Sequence, residues 1–111
     1  MVQSLNDFIS DEEMRQVRTD INDNLVELEN SLLSLEDHPD DPDLVNRVFR
    51  AMHTIKGVSG MFGFNRIASL THHVEDVYDL VRKGSLSLTP ELITSTLTAK
   101  DQIEDLINNK I

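Results

Sequence analysis

Apolar residues at Val17, Ile21, Leu25, Leu28, Leu32 and Leu35 place the strongest constraint on what this chain can fold into, with successive steps of 4, 4, 3, 4 and 3. That spacing keeps all six on one side of a helix, whereas on a strand it would scatter them over both faces. A helix over 11–36 is ~39 Å long at 1.5 Å per residue. A stripe of that length needs partners of similar length to cover it. Its start is marked by Ser10 and Glu13, spaced as a capping box, and by Asp11 and Glu12 at the positive end of the helix dipole. Leu5, Phe8 and Ile9 are placed to lengthen this helix or to cap the end of the core, and 1–9 is the loosest segment.

Three further amphipathic segments follow, separated by short polar breaks. Asp41 is placed to cap a second helix with Pro42 at its first position, where a missing N–H costs nothing. Leu44, Val45, Val48, Phe49, Met52 and Ile55 form its apolar face. The chain turns at Gly60–Phe64, where Phe62 and Phe64 plug the end of the core. A third helix starts near Asn65 with Ile67, Leu70, Val74, Val77 and Val81 on its stripe, and stops at Gly84 after Arg82 and Lys83. Thr89 and Pro90 open a fourth, which carries Leu92, Ile93, Leu97, Ile103, Leu106 and Ile107. Four Phe, one Tyr and no Trp leave the core to aliphatic side chains, and few Gly or Pro interrupt the helices. Short connections make neighbours antiparallel. The expected fold is therefore all-α, an antiparallel up-down-up-down four-helix bundle forming a single domain over 1–111.

Several classes of chemistry are excluded at once. Without cysteine there is no disulfide, thiolate metal site or cysteine nucleophile. A formal net charge of −10 repels a polyphosphate backbone, so nucleic acid is not an expected partner. No signal-like segment or membrane-length apolar run occurs, and the expected location is cytoplasmic. Neither GxxxxGK[ST] nor GxGxxG is present, so the chain has no recognisable device for binding and splitting ATP.

Residues 53–64 read HTIKGVSGMFGF. On a helix, His53, Lys56, Gly57 and Gly60 occupy one strip, at i, i+3, i+4 and i+7. It holds a nucleophile, a cation and two positions with no side chain, on the flank of the buried face. Each mid-helix glycine costs about 1 kcal/mol relative to alanine, so two together imply that something must come close to the imidazole. Of the other histidines, His38 belongs to a solvated Pro/Asp loop, and His73 adjoins the third apolar stripe as a boundary or packing residue. His72 and Glu75, at i and i+3, share the side of the third helix that would face His53.

This grouping suits phosphoryl transfer. A neutral imidazole attacks phosphorus through one ring nitrogen while the other keeps the proton. A carboxylate accepting that N–H fixes the tautomer and stabilises the positive charge that develops; Glu75 is the candidate. Lys56 supplies a point charge for the phosphoryl oxygens. Gly57 and Gly60 keep the surroundings low, so that a partner's active site can close over the ring. With no nucleotide site, the phosphoryl group must come from another domain and leave to another. The surface is that of a carrier, not an enzyme in its own right.

HTIKGVSGMFGF, followed by THHVED at 71–76, resembles the histidine phosphotransfer (HPt) domain of chemotaxis histidine kinases of the CheA type, and the similarity runs through nearly the whole chain. The resemblance implies that His53 is the phosphorylated histidine, carrying phosphate on Nε2. It further implies that Lys56 and Gly57 are the family's Lys-Gly pair, with Gly60, Phe62, Gly63 and Phe64 as its continuation. His72 and Glu75 match the hydrogen-bond network around the site. The implied partners are a histidine kinase catalytic domain, which itself uses ATP and Mg, and a response-regulator receiver of the CheY or CheB type. No cofactor is expected on this domain, and a monomer is expected in isolation. The chain departs from the pattern at Val58, where a second glycine is common, and in stopping at Ile111, before the fifth helix often found. Two other readings compete: a metal-binding bundle using His53, His72, His73 and Glu75, and a helical adaptor without chemistry.

Overall fold

Helices α1 (Asp11–Asp37), α2 (Pro42–Met61), α3 (Asn65–Arg82) and α4 (Pro90–Asn109) follow one another along the chain. They are seen in a computed structural model that describes residues 10–109. The roles expected for Leu5, Phe8 and Ile9, and the domain end at Ile111, lie outside those residues. Helix α1 packs on α2 and α4, and α3 packs on α2 and α4, with no close backbone approach across either diagonal. This is the square cross-section of an up-down-up-down bundle.

The helix ends follow from local chemistry. Ser10 accepts the Glu13 N–H at 3.0 Å, and the Ser10 N–H donates to the Glu13 carboxylate at 3.3 Å, completing the capping box. Asp41 accepts the Asp43 N–H at 3.0 Å, with Pro42 just inside α2. At α4, the Thr89 hydroxyl accepts the Leu92 N–H at 3.1 Å. Helices α2 and α3 both end in a Schellman turn. In the first, the Phe64 N–H reaches the Ser59 carbonyl at 2.8 Å and the Gly63 N–H reaches Gly60 at 3.3 Å; in the second, Ser85 bonds to Leu80 at 2.9 Å and Gly84 to Val81 at 3.0 Å. Gly63 and Gly84 adopt φ of 78° and 79°, the left-handed backbone that such turns require.

The six apolar residues of α1 are all buried, as their spacing predicts, together with Val45, Val48, Met52 and Ile55 of α2 and Ile93, Ile103 and Ile107 of α4. Each such aliphatic side chain contributes about 1.5–3 kcal/mol through burial. Leu44, Phe49, Leu92, Leu97 and Leu106 are half-buried along the edges of this core, and Phe62 and Phe64 pack against it at the turn. Val58, where the resemblance led glycine to be expected, also packs onto the core.

The expected face of α3 needs correction. Its buried line runs through Ile67, Thr71, Glu75 and Tyr78, while Leu70, Val74 and Val81 only flank the core. Residues i, i+4, i+8 and i+11 trace one helical line, but three of the four carry polar groups, so an apolar pattern search slides to the next row. Thr71 is satisfied by donating to the carbonyls of Ile67 at 2.8 Å and Ala68 at 3.0 Å. Tyr78 and Thr96 pair at 2.8 Å across the α3–α4 seam. Since the single proton of Thr96 goes to the Leu92 carbonyl at 2.7 Å, Tyr78 is the donor. Lys100 of α4 is also buried. Its ammonium emerges to Asp101 at 2.8 Å and Glu29 at 3.1 Å, and the bond to Asp101, with that to Glu29, holds its pKa above the ordinary value despite burial.

Candidate functional site

The α2–α3 pair is the most extensive contact in the bundle, and it places Glu75 directly across from His53 and Lys56. Glu75 projects from the buried line of α3, and its side chain keeps 7% of its accessibility. His53 lies on the flank of α2, its side chain 65% exposed. The two carboxylate oxygens divide the work: Oε2 meets Nδ1 of His53, and Oε1 meets the Lys56 ammonium. Lys56 stands one turn beyond His53, its side chain 30% exposed.

Burial is the largest influence on the Glu75 carboxyl and acts to raise its pKa. The hydrogen bonds from Lys56 and His53, with their charges, outweigh it, and the net displacement is downward. An ionised carboxylate offers only acceptors, so the imidazole proton belongs on Nδ1, from which it donates to Oε2. That leaves the Nε2 lone pair free, on a ring open to solvent. The same logic orients metal-bound and catalytic histidines through the nitrogen that does not react.

His72 takes a peripheral place. Its Nδ1 lies 4.0 Å from Glu75 Oε1, and its Nε2 lies 3.4 Å from Asp76 Oδ2. It stands at the edge of the cluster, beside Glu75 and Asp76 rather than His53. His73 faces elsewhere, onto the α3–α4 groove lined by Val74, Val77 and Leu92, so the four residues of the metal-bundle reading do not converge. Among the described residues, the group with ligand spacing is His72, Glu75 and Asp76, and Glu75 in that group is already bonded to Lys56 and His53. His38 ends α1 as an exposed loop residue, its N–H bonded to the Ser34 carbonyl at 3.0 Å.

The four glycines of the chain divide into two kinds. Gly63 and Gly84 are needed for their backbone geometry. Gly57 and Gly60 are ordinary helical residues, and a methyl group at either would meet nothing within 4 Å. Neither backbone nor internal packing asks for glycine there. What they leave is a low, open surface next to His53.

Two contacts around His53 escaped the reading of the sequence. Phe49, one turn earlier, lies with its ring 11° from parallel to the imidazole, the centroids 6.2 Å apart. The Arg82 guanidinium covers Phe49, its carbon 3.8 Å from the ring centroid. The i, i+4 spacing of Phe49 and His53 was available as a signal; the crossing from α3 was not.

The sequence model of the Hpt domain family matches residues 12–109. Among curated relatives, the sensor histidine kinase CheAY of Helicobacter pylori is 41% identical over 81 residues, which are 73% of this chain and 10% of that protein. The chemotaxis protein CheA of Borreliella burgdorferi is 35% identical over 104 residues, 93% of this chain and 12% of that protein. The chain thus spans about a tenth of the length of these relatives. Among solved structures, the CheA phosphotransferase domain from Thermotoga maritima superposes with a TM-score of 0.86 at 32% identity, covering 88% of this chain and 93% of that one. The phosphorylated P1 domain of CheA3 from R. sphaeroides, crystallised in complex with CheY6, gives a TM-score of 0.85 at 31% identity, covering 90% and 78%.

Proposed function

We propose that this chain, which belongs to the Hpt domain family, carries a phosphoryl group on Nε2 of His53, between a kinase catalytic domain of the CheA type and the aspartate of a response-regulator receiver. The observation that supports this reading is the buried carboxylate of Glu75, joined at once to Nδ1 of an exposed imidazole and to an ammonium one turn away. In the loading step, the Nε2 lone pair attacks the γ-phosphorus of ATP held by the kinase domain. The N–P bond forms as the bond to the bridging oxygen breaks, and ADP leaves with that electron pair. The Nδ1 proton stays in place, so positive charge develops on the ring beside Glu75, while Lys56 faces the phosphoryl oxygens. In the unloading step, a receiver aspartate oxygen attacks phosphorus, the N–P bond breaks, and its electrons return to Nε2.

Positioning and charge supply most of what phosphoryl transfer needs from a protein. His53 is the reacting group; Glu75 orients it; Lys56 meets the transferred charge; His72 completes the edge of the network; Gly57 and Gly60 admit the partner. The complex of CheA3 P1 with CheY6 supports a receiver of the CheY type as one acceptor, and a CheB-type receiver is a second. Magnesium and nucleotide belong to the kinase partner, and the domain itself is a monomeric, cytoplasmic carrier needing no cofactor. No helix among the described residues is long and apolar enough to cross a membrane.

The test is direct. Incubation with a CheA-type kinase catalytic domain and labelled ATP should place an acid-labile, base-stable label on the chain, absent from His53→Gln. Label that persists in His53→Gln, or none with several competent kinase domains, overturns the proposal.

A further inference from the structure

The Glu75 bond pins one atom of the His53 ring, and a ring held at one atom can still pivot about that point. Nucleophilic attack needs the Nε2 lone pair aimed at phosphorus within a narrow cone. Phe49 stands where such a pivot would be limited. Its ring lies nearly parallel to the imidazole, at an angle of 11° and a centroid spacing of 6.2 Å, within the range of favourable aromatic pairs. Phe49 itself is only half-buried, so packing alone does not fix it. The missing constraint comes from α3. The Arg82 guanidinium sits 3.8 Å above the Phe49 centroid, well inside cation–π range. Arg82 is held in turn by Asp79, whose Oδ1 accepts from its Nε at 2.7 Å, while Oδ2 accepts from Lys83 at 2.8 Å. Asp79, Arg82, Phe49 and His53 therefore form a continuous series crossing from α3 to α2.

We infer that Arg82 and Phe49 are positioning residues for phosphoryl transfer: Arg82, anchored by Asp79, clamps the Phe49 ring, and Phe49 limits the swing of the His53 imidazole. This rests on the phosphocarrier reading of His53. Neither residue needs to touch the phosphoryl group; both act through the direction of the ring. The alternatives are an Arg82 that merely staples the end of α3 to α2 and an Arg82 that binds the kinase.

The experiment compares wild type with Arg82→Gln, Arg82→Lys, Phe49→Tyr and Phe49→Leu. Steady-state phosphorylation by a CheA-type kinase domain with ATP is measured beside NMR couplings and ring-to-ring NOEs that report the His53 side-chain torsions. Arg82→Gln should lower kcat about threefold to tenfold with KM unchanged, and the His53 torsions should spread over more than one well. Arg82→Lys, which keeps the cation, should recover part of the rate. Phe49→Tyr should match wild type, and Phe49→Leu should behave like Arg82→Gln. Being on the surface, Arg82→Gln should leave the thermal midpoint within about 3 °C. Unchanged kcat or unchanged His53 torsions in Arg82→Gln overturn the proposal, as does a rise in KM alone, which assigns Arg82 to docking. If wild type takes no label, the phosphocarrier reading falls, whereas wild-type labelling with an indifferent Arg82→Gln sinks only the positioning role.

Discussion

Glu75 gives one carboxylate oxygen to His53 and the other to Lys56, and it is buried while the imidazole it holds stays open to solvent. Burial of the carboxylate and exposure of the ring solve two problems together for the proposed chemistry. A carboxylate shielded from water holds its hydrogen bonds more strongly than an exposed one, and the free Nε2 stays on an exposed ring, as the proposed transfer requires. The backbone positions that set this geometry are fixed by the packing of α2 against α3, the most extensive in the bundle.

Removing the carboxylate should therefore damage chemistry more than folding. Glu75→Ala is expected to slow loading of His53 roughly tenfold to a hundredfold, and Lys56→Ala about tenfold. Both partners left behind by Glu75→Ala are exposed enough to be resolvated, so the helical circular dichroism should persist. Rapid-quench phosphorylation beside thermal melts checks both halves. A wild-type rate in Glu75→Ala would refute the orienting role.

Glycines 57 and 60 give a prediction in which stability and function move in opposite directions. Alanine at either meets no neighbouring atom, so Gly57→Ala and Gly60→Ala should each stabilise the bundle by up to about 1 kcal/mol through the helix term. The added methyl rises on the surface proposed to admit the partner, and transfer to a receiver should slow. Urea unfolding and single-turnover transfer on the same protein provide the comparison; equal transfer rates would remove the close-approach explanation.

Much of this was legible in sequence because the responsible physics is local. The α1 stripe, the Ser10–Glu13 box, the Asp41–Pro42 start and the glycine stops each depend on residues within a turn or two, and each appears where its spacing puts it. The His53–Lys56 relation is local as well. The pairing with Glu75 needed a further step, since it depends on how two helices face each other; the position of His72 and Glu75 on one side of α3 was enough to suggest it. Sequence reading failed where polar residues occupy core positions. Tyr78, Thr71 and Lys100 are buried because hydrogen-bond or charge partners satisfy them, Thr71 within its own helix, Tyr78 across the α3–α4 seam and Lys100 through both Asp101 of its own helix and Glu29 of α1, and hydropathy carries no trace of such partners. The Arg82–Phe49 contact was invisible for the same reason.

Acid should weaken the fold at the functional cluster in a defined direction. The folded-state pKa of Glu75 lies below its ordinary 4.5, so its ionisation contributes stability fully above that value. The contribution is lost as pH falls through the lowered folded value. Other carboxylates titrate in the same range, so the informative quantity is the difference between wild type and Glu75→Gln. Chemical unfolding from about pH 6 to about pH 3 should show that difference shrinking as acid is added. A difference independent of pH contradicts the charged clamp.

Tyr78 gives the corresponding prediction at alkaline pH, and its absorbance is free of overlap because it is the sole tyrosine. Burial pushes its phenol up to about 12, an effect that the Thr96 bond partly opposes. A raised folded value means that the neutral phenol contributes stability fully present below its ordinary 10.0, and lost as pH rises through about 12. Phenolate absorbance should therefore appear near pH 12 in the folded chain and near 10 in denaturant. Tyr78→Phe keeps the ring but removes the donor to Thr96, whose own proton remains on the Leu92 carbonyl. The cost should be about 1 kcal/mol at neutral pH, and the step in stability above pH 10 should vanish with it. Since Tyr78 lies on the α3–α4 seam, away from Glu75's bonds to α2, His53 labelling in Tyr78→Phe should stay at the wild-type rate.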